Sequence, residues 1–246
     1  GSTDTESLQS AQNDDAKLTV GTPIGTFGVF ISEGGLDLED GASQSVYARP
    51  TDAGDPSATV DNYTIDAYNN IQYHTPADML PFGITAKIAY ATGLDGYGSG
   101  NNAGQTLTQS DESLGESATE YQIKASPIDG LTVGASYMTF SGGGDAGTVQ
   151  DPESGSYMAT YSSGPFSVGY SKGFKAPVVG DIVAASDIET VELYDQTNMS
   201  VAYAATDDLS ISYEKETSEA NYVLNTTADV EQESTFSAIG DDAATS

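Results

Sequence analysis

The chain has no cysteine and no tryptophan, a single histidine, and only seven lysines and arginines among 246 residues. Without cysteine there is no disulfide, no thiolate metal site and no thiol nucleophile. That absence is compatible with an oxidising envelope compartment. Seven basic residues stand against 37 acidic ones, a formal net charge of −30. No basic stripe is available to displace counterions from phosphates, which excludes nucleic acid as a partner. The one histidine, His74, has no serine–aspartate arrangement beside it, so a catalytic triad is not expected. No run approaches the roughly 20 apolar residues of a membrane-spanning helix, so any crossing of a bilayer falls to strands. The apolar share is 37%, below the roughly 45–50% of ordinary globular chains. Strands that need only one apolar face tolerate such a composition.

Glycine (27) and tyrosine (15) are plentiful. The pattern is clearest from Asn62 to Gly93. There Tyr63, Ile65, Ala67, Ile71 and Tyr73 share one parity, with Thr64, Asp66, Asn70, Gln72 and His74 on the other. After the turn TPADMLPFG, Ile84, Ala86, Ile88 and Tyr90 oppose Thr85 and Lys87. Period-two alternation predicts strands with one greasy and one wet face. KLTVGT (17–22) gives a short strand of the same kind, and three further hairpins follow. They run through Tyr121–Ala125 and Leu131–Tyr137, Tyr157–Tyr161 and Phe166–Tyr170, and Met199–Tyr203 and Leu209–Tyr213. Nine strands are expected with a further one near Ser234–Gly240. Asn69, Asp195 and Thr197 break the apolar parity, which predicts a bulge, a position beyond the apolar band, or a contact with another subunit.

Short turns (TPADMLPFG, SPIDG, SSGP, ATDD) alternate with long polar segments. A soluble β-sandwich has no reason to place every long loop on alternate connections, whereas a membrane barrel has short turns on one side and long loops on the other. The tyrosines point the same way. Tyr73 and Phe82 lie near a short turn, while Tyr90, Tyr121, Tyr137, Tyr157 and Tyr170 lie towards long loops, as two interfacial girdles would. The expected fold is all-β, an antiparallel transmembrane β-barrel forming one domain over 1–246. Residues 1–15 are expected to be loop or disordered and 16–239 to carry the strands.

Enzymatic constellations are thin. Adjacent acids such as Glu39-Asp40 and Asp241-Asp242 mean little among 37 acidic residues, although glycosidases do use carboxylate pairs. GSGNNAG and SGGGDAG lack the following helix or lysine of a phosphate loop. DGYGSGN (95–101) offers oxygen ligands for calcium, without EF-hand spacing. Lys17, Lys87 and Lys124 all fall on the polar parity. A lysine facing lipid near the midplane costs about 2–4 kcal/mol, so these point to the wet side.

At NNIQYHTPADMLPFGITAKIAYATG the chain resembles the strand pair that follows the constriction loop of Gram-negative general porins. KLTVGTPIG is similar to that family's strand ending in glycine before its long inward-folded loop. GPFSVGYSKGF and DLSISYEKE look like later strands, of the kind found in marine alphaproteobacterial porins. The resemblance covers most of 16–239, through loose patterns of glycine, tyrosine and turns. It implies the middle of a sixteen-stranded barrel, with the first strands and the end missing from this chain. The alternative is ten to twelve strands closing a smaller barrel. It further implies that residues 23–60 fold into the channel as a constriction loop. Its Glu33, Asp37, Glu39 and Asp40 would face Lys17, Lys87 and Lys124 across the bore, with Arg49 in the same loop. The implied protein is a homotrimer in the outer membrane of a Gram-negative bacterium, in contact with its lipid. It would pass small hydrophilic solutes and ions without cofactor, resident metal or covalent chemistry. The acidic excess adds an expected preference for cations. Two rival readings remain: a secreted or cell-surface acidic β-rich adhesion or layer protein, calcium-binding in its loops, and a small barrel enzyme or ligand binder with an apolar pocket.

Overall fold

A computed structural model describes residues 16–38, 62–92, 115–141, 151–177, 190–206, 209–223 and 230–243. They form eleven strands: β1 (Ala16–Thr22), β2 (Gly25–Ile31), β3 (Asn70–His74), β4 (Thr85–Thr92), β5 (Ser117–Ile128), β6 (Leu131–Ser141), β7 (Glu153–Ser163), β8 (Phe166–Ala176), β9 (Thr190–Thr206), β10 (Leu209–Val223) and β11 (Val230–Ala243). All lie in one sheet, in sequence order from β1 to β11, and every neighbouring pair is antiparallel.

The short connections follow from local chemistry. Asp129-Gly130 joins β5 to β6 with Gly130 at φ 78°, a left-handed conformation that glycine adopts without a Cβ clash. Just before it the register shifts between Ala125 and Ile128, where Pro127 has no N–H to give the ladder. The strand ends that flank the long connections (after β2, β4, β6 and β8) lie at the opposite end of the sheet from these turns.

The two faces of this sheet are inverted relative to a water-soluble protein. Leu18, Phe27, Ile71, Ile88, Tyr121, Ile123, Tyr157, Val201 and Ile211 are all exposed, Leu18 at 69%. The opposite face buries Gln72, Gln122, Ser136, Ser156, Ser171, Asn198, Ser212 and Glu214. A contiguous exposed apolar face of this extent marks a surface that meets something other than water. The apolar rows are thus not sandwiched between two stacked sheets.

Several sequence expectations need correction. Residues 23–60 are not all loop: Gly25–Ile31 is β2, because Phe27, Val29 and Ile31 alternate in step with the apolar row of β1. Conversely, Tyr63, Ile65 and Ala67 are not strand residues. Ile65–Ala67 is a single 3-10 turn, and strand pairing begins only at Asn70. Strands β8 to β10 also run further into the long-loop side than their apolar alternation suggested, and β11 spans all of Val230–Ala243. Asp195 and Thr197 are not displaced by a bulge. The register of β9 runs unbroken past both on each side, so they keep the outward parity. Nor do the strands close a smaller barrel. β1 and β11 lie at opposite ends of the sheet order, which is open among the described residues.

Candidate functional site

The polar face is partly covered by the chain itself. After β2 the backbone turns back over the inner surface through residues 33–38, and it returns over that surface through 62–68. Leu36, Tyr63, Ile65 and Tyr68 from these two limbs pack on Ala89, Ala91, Ala118, Met138 and Phe140 of the wall. Alanines at 89, 91 and 118 leave room for the limbs to approach the strands. Tyr63 meets Phe140 edge-on with centroids 5.0 Å apart, a favourable aromatic geometry. Leu38 packs on Met158 as a second small cluster. The main hydrophobic core among the described residues therefore lies inside the curve of the sheet, between wall and inserted segment.

A backbone laid on a wall needs partners for its own N–H and C=O groups, and inward-facing side chains supply them. Glu120, 1% exposed, accepts a hydrogen bond from the Ile65 N–H at 2.8 Å. Two residues on, Gln122 donates to the Leu36 carbonyl at 2.7 Å. One strand thus holds both limbs. Ser136 Oγ accepts from the Leu38 N–H at 3.1 Å. Ser154 Oγ accepts from the Tyr63 N–H at 3.0 Å and donates to the Tyr63 carbonyl at 3.3 Å. Gln72 donates to the Gly34 carbonyl at 2.6 Å, and Asn70 to the carbonyls of Glu33, Ile65 and Tyr68. The Lys175 ammonium sits 4.3 Å from the centroid of the Tyr63 ring, within cation–π range. Replacing Ser154 with alanine removes the hydroxyl that pairs with both the N–H and the C=O of Tyr63 in a buried site. The returning limb is expected to lose about 1–3 kcal/mol of docking free energy, read as faster hydrogen exchange at the Tyr63 amide with exchange in β5 and β6 unchanged.

The structure brings some of the predicted constriction residues together. Lys17 on β1 reaches Glu33 at the start of the inserted segment, 2.8 Å away. This is a direct ion pair, not a pair of charges facing each other across an opening. Lys87 and Lys124 lie on the inward face as their parity predicted, at diagonal ladder positions, since Lys87 opposes Gln122 and Lys124 opposes Thr85. Neither is ion-paired with Glu33 or Asp37 among the described residues. Glu39, Asp40 and Arg49 lie outside the described residues, as does the segment 95–101 considered for calcium. On the outer face Tyr90, Tyr121, Tyr137, Tyr157 and Tyr170 are exposed. Tyr157 and Tyr170 stand 6.4 Å apart between centroids, and Tyr137 hydrogen-bonds to Glu153. Tyr73 is half-buried, its hydroxyl donating to the Ile24 carbonyl at 2.5 Å. Phe82 is not on a strand but at φ 60° in the turn between β3 and β4, and is 68% exposed.

Sequence reasoning missed the wall residues that hold the segment: Asn70, Gln72, Glu120, Gln122, Ser136 and Ser154. Their signal was present as inward polar parity, but nothing local distinguishes a side chain facing water from one facing a peptide group. It also missed further aromatics at the short-turn end: Phe27, which meets the predicted Tyr73 at 5.0 Å, and Phe166 and Tyr203, which meet at 4.7 Å.

The architecture is therefore that of an antiparallel β-barrel wall with a chain segment folded against its inside. Comparison with known proteins agrees at the level of fold. No family model matches the chain, and no curated protein matches it. Among solved structures, the outer-membrane expressed OmpT of Vibrio cholerae superposes over 92% of this chain with a TM-score of 0.52 and 14% identity. This chain spans 64% of that chain's length. A porin refined at 1.8 Å resolution gives 0.49 and 13% identity, covering 92% of this chain and 78% of that one. The outer membrane channel DcaP of Acinetobacter baumannii gives 0.46 and 9% identity, covering 94% and 62%. The fold likeness rests on the first of these.

Proposed function

We propose that this chain forms the greater part of a general-diffusion porin of the marine alphaproteobacterial type, in the outer membrane of a Gram-negative bacterium. One observation carries the reading: a single sheet turns its isoleucine and tyrosine rows outward, while its concave polar side receives residues 33–38 and 62–68. An apolar outer band around a hydrated interior is what strands crossing a bilayer require. In the membrane the open edges at β1 and β11 are paired, because unpaired backbone groups in hydrocarbon are costly. The exposed tyrosines at 90, 121, 137, 157 and 170 form the girdle on the long-loop side, with Tyr73 and Phe82 on the other. The segment begun by Glu33 and Asp37, continuing through Glu39, Asp40 and Arg49, narrows the bore near Lys87 and Lys124. Small hydrophilic solutes and ions pass down their gradients without covalent chemistry, and the protein works as a homotrimer.

With 37 acidic residues against seven basic ones, the mouth concentrates cations. In a planar bilayer under a KCl gradient, the zero-current potential is expected to take the sign of potassium preference, and to shrink as salt rises and screens the acids. Stepwise conductance together with a heat-dependent gel mobility would support the channel. A chain that stays soluble without detergent and gives no conductance would refute it in favour of a secreted surface protein.

A further inference from the structure

Two lysines take the side of the sheet that Lys17, Lys87 and Lys124 avoid. Lys172 on β8 and Lys215 on β10 share the parity of the exposed Tyr170, Ile211 and Tyr213. Their sequence neighbours Ser171, Glu214 and Glu216 are buried on the concave side. A lysine on the lipid face costs about 2–4 kcal/mol at the midplane and about 0–1 kcal/mol near an interface. Lys172 and Lys215 therefore mark the level, on the long-loop side, where hydrocarbon gives way to headgroups.

The ladders set the outward residues of this level in rows. Tyr170, Met199 and Lys215 stand side by side across β8, β9 and β10. One outward step further from the apolar band come Lys172, Thr197 and Thr217, and one step beyond them Phe174, Asp195 and Glu219. The two threonines are directly paired, and both they and the two lysines are half-buried. Two strands and one outward step separate the lysines, about 12 Å on ordinary strand spacing and rise. Their flexible stems lie on apolar surface and bring both ammonium groups to the Thr197–Thr217 pair. Lys172 already meets Asp195 at 3.9 Å, with side chains 44% and 30% exposed. So exposed a pair is weak, and the ammonium keeps further donors. Asp195 and Glu219 oppose each other directly, an unfavourable placement of like charges without a cation beside them.

We propose that Lys172, Lys215, Thr197, Thr217, Asp195 and Glu219 bind the phosphoethanolamine headgroup of a membrane lipid. In such a lipid the phosphate lies next to the acyl region and the amine lies further out. The patch has the complementary order: ammonium and hydroxyl donors beside the apolar rows, carboxylates one step beyond. The phosphate gains charge-assisted hydrogen bonds from the lysines, and the amine donates to the two acids. Below them Tyr170 and Met199, both exposed, offer apolar surface to the acyl chains. The polar side chains at 195 and 197 on an otherwise greasy parity thus acquire a role. The site rests on the reading of the outer rows as lipid-facing, and does not depend on conduction.

The test uses the full chain, delipidated in detergent, with native mass spectrometry as the readout. The probes are phosphatidylethanolamine, phosphatidylcholine and phosphatidylglycerol with identical acyl chains. Phosphatidylethanolamine is expected to bind about tenfold more tightly than either of the others. Choline has no N–H to donate, and the glycerol headgroup has no cation for the acids. K172Q/K215Q is expected to lose that advantage and K172R/K215R to keep it. D195N/E219Q is expected to bring phosphatidylglycerol level with phosphatidylethanolamine, and K17Q, on the concave side, to change nothing. Unchanged heat-dependent mobility shows that the variants are folded. Equal binding of the three lipids by the wild type overturns the proposal, as does a preference that survives either K172Q/K215Q or D195N/E219Q. Conductance in KCl is measured separately. Lipid preference without conductance would refute the channel and leave the site standing, whereas conductance without lipid preference would refute the site alone.

Discussion

Ile123→Arg is expected to abolish or severely weaken folding into detergent or lipid, while Thr132→Arg on the neighbouring strand leaves it nearly unchanged. Ile123 lies on the outward row of β5, 47% exposed, between Ala86 and Ala135 in the ladder. A guanidinium placed in the hydrocarbon at that level costs about 2–4 kcal/mol, falling towards the interfaces. Thr132 has the opposite parity and faces the hydrated side, where a charge stays solvated. The next residue after Ile123 is Lys124, so the strand already tolerates a cation one position away, provided that it faces inward. The measurement is the folded fraction by heat-dependent mobility over a urea titration in lipid vesicles. If the isoleucine and tyrosine rows faced water, Ile123→Arg would be neutral or would improve solubility, and the membrane reading would fail.

The second large effect concerns the inserted segment. Glu120→Leu is expected to release the returning limb and raise the unitary conductance, with the barrel wall intact. The mutation removes the acceptor of the Ile65 N–H, which is buried together with Ile65 itself. A buried donor left without a partner costs about 1–3 kcal/mol. Combining it with Gln122→Leu also strips the donor to the Leu36 carbonyl, so that both limbs lose their hold on β5. The two effects are expected to exceed their sum, because the limbs pack on each other through one cluster. Glu120→Gln keeps an acceptor oxygen and serves as the conservative control. Faster hydrogen exchange at the Ile65 amide, without change in the β5–β6 ladder, would place the loss in the segment alone. Wild-type conductance and wild-type exchange in the double variant would show that these hydrogen bonds do not position the segment.

Much of the wall was legible because period-two alternation is a local property. A strand with one face in lipid and one in water writes its orientation into consecutive residues, as in Ile123-Lys124 or Tyr121-Gln122. The alternation of short and long connections added the topology, and the parity of Lys17, Lys87 and Lys124 added their direction. The signal weakened where alternation ceased to mean lipid on one side. Asp195 and Thr197 keep the outward parity with polar side chains, so the length of β9 was hidden. Tyr63 and Ile65 mimic an outward row, yet they are buried on the inner side in a 3-10 turn and its approach.

By itself the sequence determined that the chain is built from antiparallel strands with one greasy face, that it contains no run long and apolar enough to cross a membrane as a helix, and that Lys17, Lys87 and Lys124 fall on the polar parity. Each of these depends on the chemistry of residues adjacent along the chain. Only the tertiary structure decided that β2 belongs to the wall, that residues 62–68 leave it, and that Glu120 and Gln122 hold two limbs distant from each other in sequence. Those outcomes depend on backbone groups meeting side chains on other strands, and pairings of that kind leave no trace in the order of neighbouring residues.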